Sequence, residues 1–169
     1  YYKKFNEQFA TSLTAFFKHH DGFYTNEFKG KSVDFSDALG FRHKAIWKPN
    51  TRISLKNIAT YEFSDEGGYP YAIYDSTLGK ASPISYNQFS SYKRNLFSDA
   101  LALQYKNDNF DLKMTTSYQM IDGKQAIDQD FSPASIYFVE QEQVQHMIAE
   151  EITIRSVSNP TYNWMFGSF

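Results

Sequence analysis

FDLKMTTSYQM, residues 110–120, alternates without a break. Phe110, Leu112, Met114, Thr116, Tyr118 and Met120 fall on one face. Asp111, Lys113, Thr115, Ser117 and Gln119 fall on the other. Period-2 alternation makes a strand with one apolar side. Aromatic residues stand near both ends, the middle is aliphatic, and no charge interrupts the apolar face. A strand that crosses a bilayer needs about 9–11 tilted residues, with aromatic rings at the two interfaces. The stretch meets both conditions.

The same pattern recurs on either side. Asn6–Tyr24, Asp37–Trp47, Arg52–Phe63, Arg94–Lys106, Gln145–Ser156 and Tyr162–Phe169 read as further strands, and Ser135–Val139 has room for a short one within the last long connection. Lys48–Thr51, Asn107–Asn109 and 157–161 read as tight turns, rich in Pro and Asn. Residues 25–36, 64–93 and 121–144 read as long connections. Short and long alternate, so the turns gather at one end of the sheet and the loops at the other. That asymmetry belongs to transmembrane barrels. Trp47, Tyr105, Phe110 and Trp164 lie beside turns, while Tyr61, Phe63, Phe97 and Tyr118 lie beside loops. Together they form two candidate membrane girdles. The predicted fold is an all-β, antiparallel up-and-down meander of about seven strands, part of a transmembrane β-barrel. The alternative on these patterns is a soluble carbohydrate-binding β-sandwich, in which a second sheet would bury Leu55, Leu101, Leu112 and Met114.

Composition narrows the field. Of 169 residues, 18% are aromatic, with 13 Tyr and 16 Phe, which favours strands over helical cores. Mean hydropathy is −0.56, and no run of 18 apolar residues offers a membrane helix. A barrel escapes that test, because only alternate residues meet lipid. The net charge of −2 gives no electrostatic case for nucleic acid. Cysteine is absent, so disulfides and thiolate metal sites are excluded. The chain starts at Tyr1 and stops inside strand-like sequence, which suggests a piece of a longer protein.

Four residues sit awkwardly on the lipid side: His43, Asn57, Asp99 and Glu150. A bulge that shifts the register would turn Glu150 inward. The opposite face carries Arg42, Lys44, Lys56, Glu62, Asp111 and Lys113, expected as an ion-pair network facing water.

The best ligand-contact candidates lie in the tyrosine-rich connection: Tyr69, Tyr71, Tyr74, Tyr86 and Tyr92. A phenol joins apolar area to a polar handle, which suits an aromatic or catecholate chelate. Lys93 and Arg94 would attract an anionic complex. Asp122, Asp128 and Asp130 share a predicted loop, but an EF-hand counted from Asp128 would meet Pro133 and Val139 where Gly and Glu belong. A solvated acidic loop is the better reading. His19 and His20 point to opposite faces, and His43 and His146 are isolated, so no metal site is expected. Leu78-Gly79-Lys80-Ala81 lacks the phosphate-loop pattern, and no nucleophile–base set is readable. Glu150 and Glu151 face opposite ways and cannot make a glycosidase pair. No catalytic residue and no cofactor is expected.

Several stretches resemble the barrel of TonB-dependent outer-membrane receptors, especially siderophore receptors of the ferric-yersiniabactin/pesticin-receptor kind. They are DGFYTN (21–26), LGFRHKAIWKPN (39–50), DQDFSP (128–133), AEEITIRS (149–156) and NWMFGSF (163–169). Ala149 replaces the Gln usual at that place in similar receptors. The resemblance implies a 22-strand barrel of which residues 1–169 are a partial mid-barrel domain. The plug, the TonB-contacting segment and the closing C-terminal strands would lie outside it. It further implies an outer-membrane location in a Gram-negative bacterium, contact with outer-membrane lipid, an iron chelate or other small nutrient as ligand, and TonB as partner through the plug.

Overall fold

The computed structural model describes residues 1–157 and 161–169. The strands in chain order are β1 (Tyr2–Lys4), β2 (Phe9–His20), β3 (Thr25–Asn26), β4 (Lys31–Ser32), β5 (Ser36–Trp47) and β6 (Ile53–Gly67). They continue with β7 (Tyr74–Asp75), β8 (Lys80–Ala81), β9 (Ser91–Lys106), β10 (Phe110–Asp128), β11 (Phe138–Ser156) and β12 (Met165–Ser168). Eight of them pair in chain order in one antiparallel sheet, β1-β2-β5-β6-β9-β10-β11-β12. The other four form two small hairpins inside long connections, β3 with β4 and β7 with β8. There is no helix among the described residues.

The wall has one strand more than the expected seven, because residues 2–4 of the supposed lead-in pair with Ala10–Ser12. The third long connection is much shorter than predicted. β10 runs on to Asp128 and β11 starts at Phe138, so residues 129–137 alone join them. The second connection shrinks to 68–90, and the first becomes 21–35 because β2 ends at His20. Asp21-Gly22 is the bend into it, with Gly22 at φ 90°. The predicted turn at 157–161 falls largely on residues 158–160, outside the described residues. β12 is confined to 165–168, within the expected 162–169.

At the described turns one device repeats. The Asn6 side-chain oxygen accepts from the amides of Gln8 and Phe9 at 2.8 and 2.7 Å. Asn50 does the same for Arg52 and Ile53, and Asn107 for Asn109 and Phe110. The short side chain supplies the acceptor that the reversing backbone lacks, which is why Asn suits these positions.

Register carries the alternation across the sheet. Phe9, Trp47, Leu55, Leu103, Met114 and Ile152 form one cross-strand row. Ala15, Phe41, Tyr61, Phe97, Met120 and His146 form another, nearer the loops. Leu101 is 46% exposed and Ile148 76% exposed. Among the described residues no second sheet covers this face, so the sandwich alternative is overturned. An uncovered apolar face this wide marks a surface that something apolar must cover.

Several of the rings expected as membrane girdles meet in pairs. Tyr105 packs near Phe110 at the turn end, ring centroids 5.8 Å apart, and Phe97 near Tyr118 at the loop end, 6.2 Å apart. Trp164 stands just before β12 beside Phe166. Phe110 to Tyr118 is about 26 Å along the strand at ~3.3 Å per residue. At the ~40° tilt of barrel strands that becomes roughly 20 Å of height, close to the ~25 Å apolar band of an outer-membrane wall. Two outward rows beyond the Ala15–His146 row, toward the loops, the face is ionic: Lys93 reaches Asp65 at 2.9 Å, Lys124 reaches Glu142 at 3.1 Å, and His19 meets Asp37 at 2.6 Å.

The awkward outward polar groups are satisfied laterally. Thr11 Oγ1 and His43 Nε2 are 2.7 Å apart, and Asn57 donates to Asp99 at 2.9 Å. Thr116 donates to Glu150, and Tyr118 meets His146 at 2.8 Å. The register of β10 with β11 runs unbroken from Asp128↔Phe138 to Phe110↔Ser156. No bulge turns Glu150 inward; a partner on the next strand satisfies it where it stands. On the inner face Phe16 lies directly opposite Gly40, and its ring fills the space that a side chain there would take.

Candidate functional site

Burial concentrates at the loop end. Val33 and Tyr86 are almost or wholly enclosed there, as are the polar residues Asn26, Ser90 and Asp128. Each connection first folds on itself. In the first, Asp34 accepts from the amides of Phe23 and Tyr24 at 2.9 Å, and Asn26 accepts from Phe28 and Lys29. In the second, Asp75 accepts from Thr77 and Leu78 at the tip of the β7–β8 hairpin. In the third, Asp130 gathers the Ser132 hydroxyl and amide and the amides of Ile136 and Tyr137.

The three connections then interlock. Asn26 Nδ2 donates to the Tyr86 carbonyl at 2.8 Å, and the Glu27 amide to the Ile84 carbonyl at 2.8 Å. The Gln88 amide donates to Asp128 at 3.0 Å, while Ser90 Oγ accepts from the Asp128 amide at 3.1 Å. The Asn87 amide reaches the Ser132 carbonyl, and Tyr71 meets the Phe131 ring edge-on at 5.4 Å. The loops make one cap, not three independent lids.

Electrostatics follow from these contacts. Burial alone would raise the Asp34 carboxyl, but the amides of Phe23 and Tyr24 outweigh it and hold the group below the usual carboxylate value. The Ser132 hydroxyl, then the Tyr137 amide, hold Asp130 low as well. For a depressed carboxyl, stabilisation is present above the unfolded pKa, about 3.9, and is lost as pH falls through the folded value. The first connection is therefore expected to loosen below about pH 4, earlier than the strands. Amide exchange at Phe23 and Tyr24, followed from pH 6 to pH 3, checks it. Equal protection at both ends would contradict the assignment.

The predicted site residues separate into groups. Tyr69, Tyr71 and Tyr92 come together. The Gln125 side-chain Nε2 donates to the Tyr69 hydroxyl, and Gln125 is the direct cross-strand partner of Tyr92. Tyr69 and Tyr71 rings are 6.1 Å apart. Tyr74 stands apart on the β7–β8 hairpin, 65% exposed. Tyr86 is fully enclosed and has no surface to offer a ligand; it holds the cap together. Tyr92 belongs to β9, not to a loop. Arg94 is half-buried and bonded to Glu62 at 3.0 Å.

The expected inner ion-pair network is reduced to two clusters. One is Arg94 with Glu62. In the other, Asp111, 2% exposed, takes Arg155 at 3.0 Å, Lys106 at 4.0 Å and Gln104 at 3.1 Å. Arg42, Lys44, Lys56 and Lys113 have no carboxylate partner among the described residues. The solvated acidic loop is not observed either. Asp122 is in β10, Asp128 is buried, and Asp130 is committed to its own turn. No group of three or more potential metal ligands occurs among the described residues.

Sequence reasoning missed Phe131, Gln125, Gln141 and Gln143. The signal was the every-second-residue spacing of Gln141, Gln143 and Gln145, hidden in a stretch with no apolar face.

The class of fold is thus an all-β antiparallel meander, with one apolar face and its loops gathered at one end. Among solved structures the chain is similar to the crystal structure of the ferric yersiniabactin uptake receptor FyuA from Yersinia pestis, with a TM-score of 0.77 and 16% identity. The likeness covers 98% of this chain and 26% of that receptor, so the chain spans about a quarter of its length. No protein-family model matches the chain, and no curated protein matches it.

Proposed function

We propose that this chain forms wall and loops of a TonB-dependent outer-membrane receptor that takes up a scarce, bulky nutrient, an iron–siderophore complex in the first instance. One observation carries the reading. Eight strands pair in chain order with an uncovered apolar face, aromatic rows near both ends of it, and every long connection at one end. Such a wall satisfies its backbone between strands and meets hydrocarbon with its side chains. The motifs at 21–26, 39–50, 128–133, 149–156 and 163–169, and the likeness to an uptake receptor, support the same reading. The ligand would meet the loop cap and the inner face of the wall. Energy would come through TonB acting on a plug outside this chain. The role needs no bond chemistry, so we assign no catalytic residue and no cofactor.

The test is uptake of radioactive iron as a siderophore complex by Gram-negative cells that express the intact receptor. Uptake is expected to vanish without TonB and to fall when residues 68–90 are replaced by a short Gly-Ser linker, while the receptor stays in the outer-membrane fraction. A receptor that is soluble without detergent would end the proposal.

A further inference from the structure

The inner face is graded in charge. On β9, β10 and β11, the half toward the turns carries Lys106, Asp111, Lys113, Glu151 and Arg155. Toward the loops the same face carries Gln119, Gln125, Gln141, Gln143 and Gln145, with Tyr92 among them. The one charge in that upper half is Arg94, and Glu62 neutralises it at 3.0 Å. The exposed side-chain amides of Gln141, Gln143 and Gln145 make no hydrogen bond to another described residue. Each offers a donor pair and an acceptor to whatever comes against the face. Gly123 lies among them, and its missing side chain opens a shallow pocket lined by Tyr92, Ile121, Gln125, Gln141 and Gln143.

An aromatic wall stands above this amide surface. Tyr69 and Phe131 hold positive φ, 59° and 50°, in a region that bulky L-residues seldom occupy. Backbone strain of that kind persists where the surroundings fix it, and it clusters at ligand clamps. Tyr71 bridges the two rings, and Tyr69 is tied down to the Gln125 amide.

We infer that the upper inner face of β9–β11, with Tyr69, Tyr71 and Phe131 above it, binds an uncharged ligand rich in carbonyl and hydroxyl groups. The inference rests on the receptor reading and names the ligand's charge class. An anionic chelate needs unpaired cations to replace its water, and this surface has none. Neutral amides and ring faces match hydroxyls, amide carbonyls and C–H edges. Two sources share that chemistry: a neutral ferric trihydroxamate and a neutral oligosaccharide.

The experiment is calorimetric titration of the intact receptor in detergent at 50 and 500 mM NaCl. The probes are ferrichrome, maltoheptaose and the triply anionic ferric enterobactin. One neutral probe is expected to bind, with Kd changing less than about twofold between the salts, since no charge is there to be screened. Which of the two binds identifies the source. Ferric enterobactin should bind at least about tenfold more weakly. Gln141→Ala/Gln143→Ala should weaken the neutral probe about tenfold, the scale of one or two lost hydrogen bonds. Tyr92→Phe, which keeps the ring, should weaken it less. Circular dichroism and heat-modifiable electrophoretic mobility report the fold of each variant. Tighter binding of the anionic chelate, or binding of neither neutral probe, overturns the inference. The receptor reading survives such a result while the protein stays in outer membranes and imports iron through TonB; it fails separately, if the protein is soluble.

Discussion

Tyr86→Ala is expected to unfasten the loop cap while leaving the wall intact. Tyr86 is fully enclosed, and its backbone carbonyl and amide both engage the Asn26 side chain. Truncating a buried large aromatic costs about 3–5 kcal/mol. The loss falls on the connections, because Tyr86 lies in the cap and not in the eight-stranded sheet. Limited proteolysis in detergent should cut within 21–35 and 68–90 in the variant, while cross-strand amide protection in β9 and β10 stays. Equal loss in loops and wall would show that the cap is not a separate unit. Tyr86→Phe is the control. The hydroxyl lies near Ser90 yet makes no hydrogen bond of normal geometry among the described residues. Removing it should cost little, and a gain is admissible. Burial pushes the phenol up to about 12. The unfolded phenol ionises near 10. Stabilisation is thus complete below pH 10 and is lost as pH rises toward 12. The Phe variant should lack that alkaline loosening.

The second large effect compares neighbours in β10. Met114 lies in the outward row with Leu103 and Ile152, whereas Thr115 faces inward between Ala102 and Glu151. An arginine near mid-bilayer on the lipid side of a barrel costs roughly 2–4 kcal/mol, and one facing the lumen costs far less. On the receptor reading, Met114→Arg should therefore impair assembly into the outer membrane, and Thr115→Arg should be accepted, since it also meets Glu151. Urea unfolding in lipid vesicles and heat-modifiable mobility give the measurement. Equal effects of the two would remove the basis for an outward lipid face.

The wall was legible because a sheet with one apolar and one polar face writes an alternating code. Phe110 to Met120 reads as a strand from its own residues. Ile121 to Asp128 and Phe138 to Val144 do not, although they are equally well paired. They extend beyond the loop-end aromatic row, where both faces meet water or loops, and nothing in Glu140-Gln141-Glu142-Gln143 distinguishes strand from loop. The turns were visible in their Pro and Asn content, while the shared role of Asn6, Asn50 and Asn107 needed coordinates. The cap was out of reach in principle. Asn26 and Tyr86 are sixty positions apart, and no local pattern announces that one will hold the other. For the same reason Tyr86 looked like the other tyrosines of its loop, although its environment is opposite to that of Tyr74.

The paired polar groups on the outward face have an evolutionary corollary. Asn57 and Asp99, or Thr116 and Glu150, each answer the other's hydrogen bond on a surface where, in hydrocarbon, no water would replace a lost partner. Losing one member strands the other, so such residues should be exchanged two at a time. In diverged sequences these positions should covary as couples, apolar with apolar and polar with polar, even though each half belongs to a different strand.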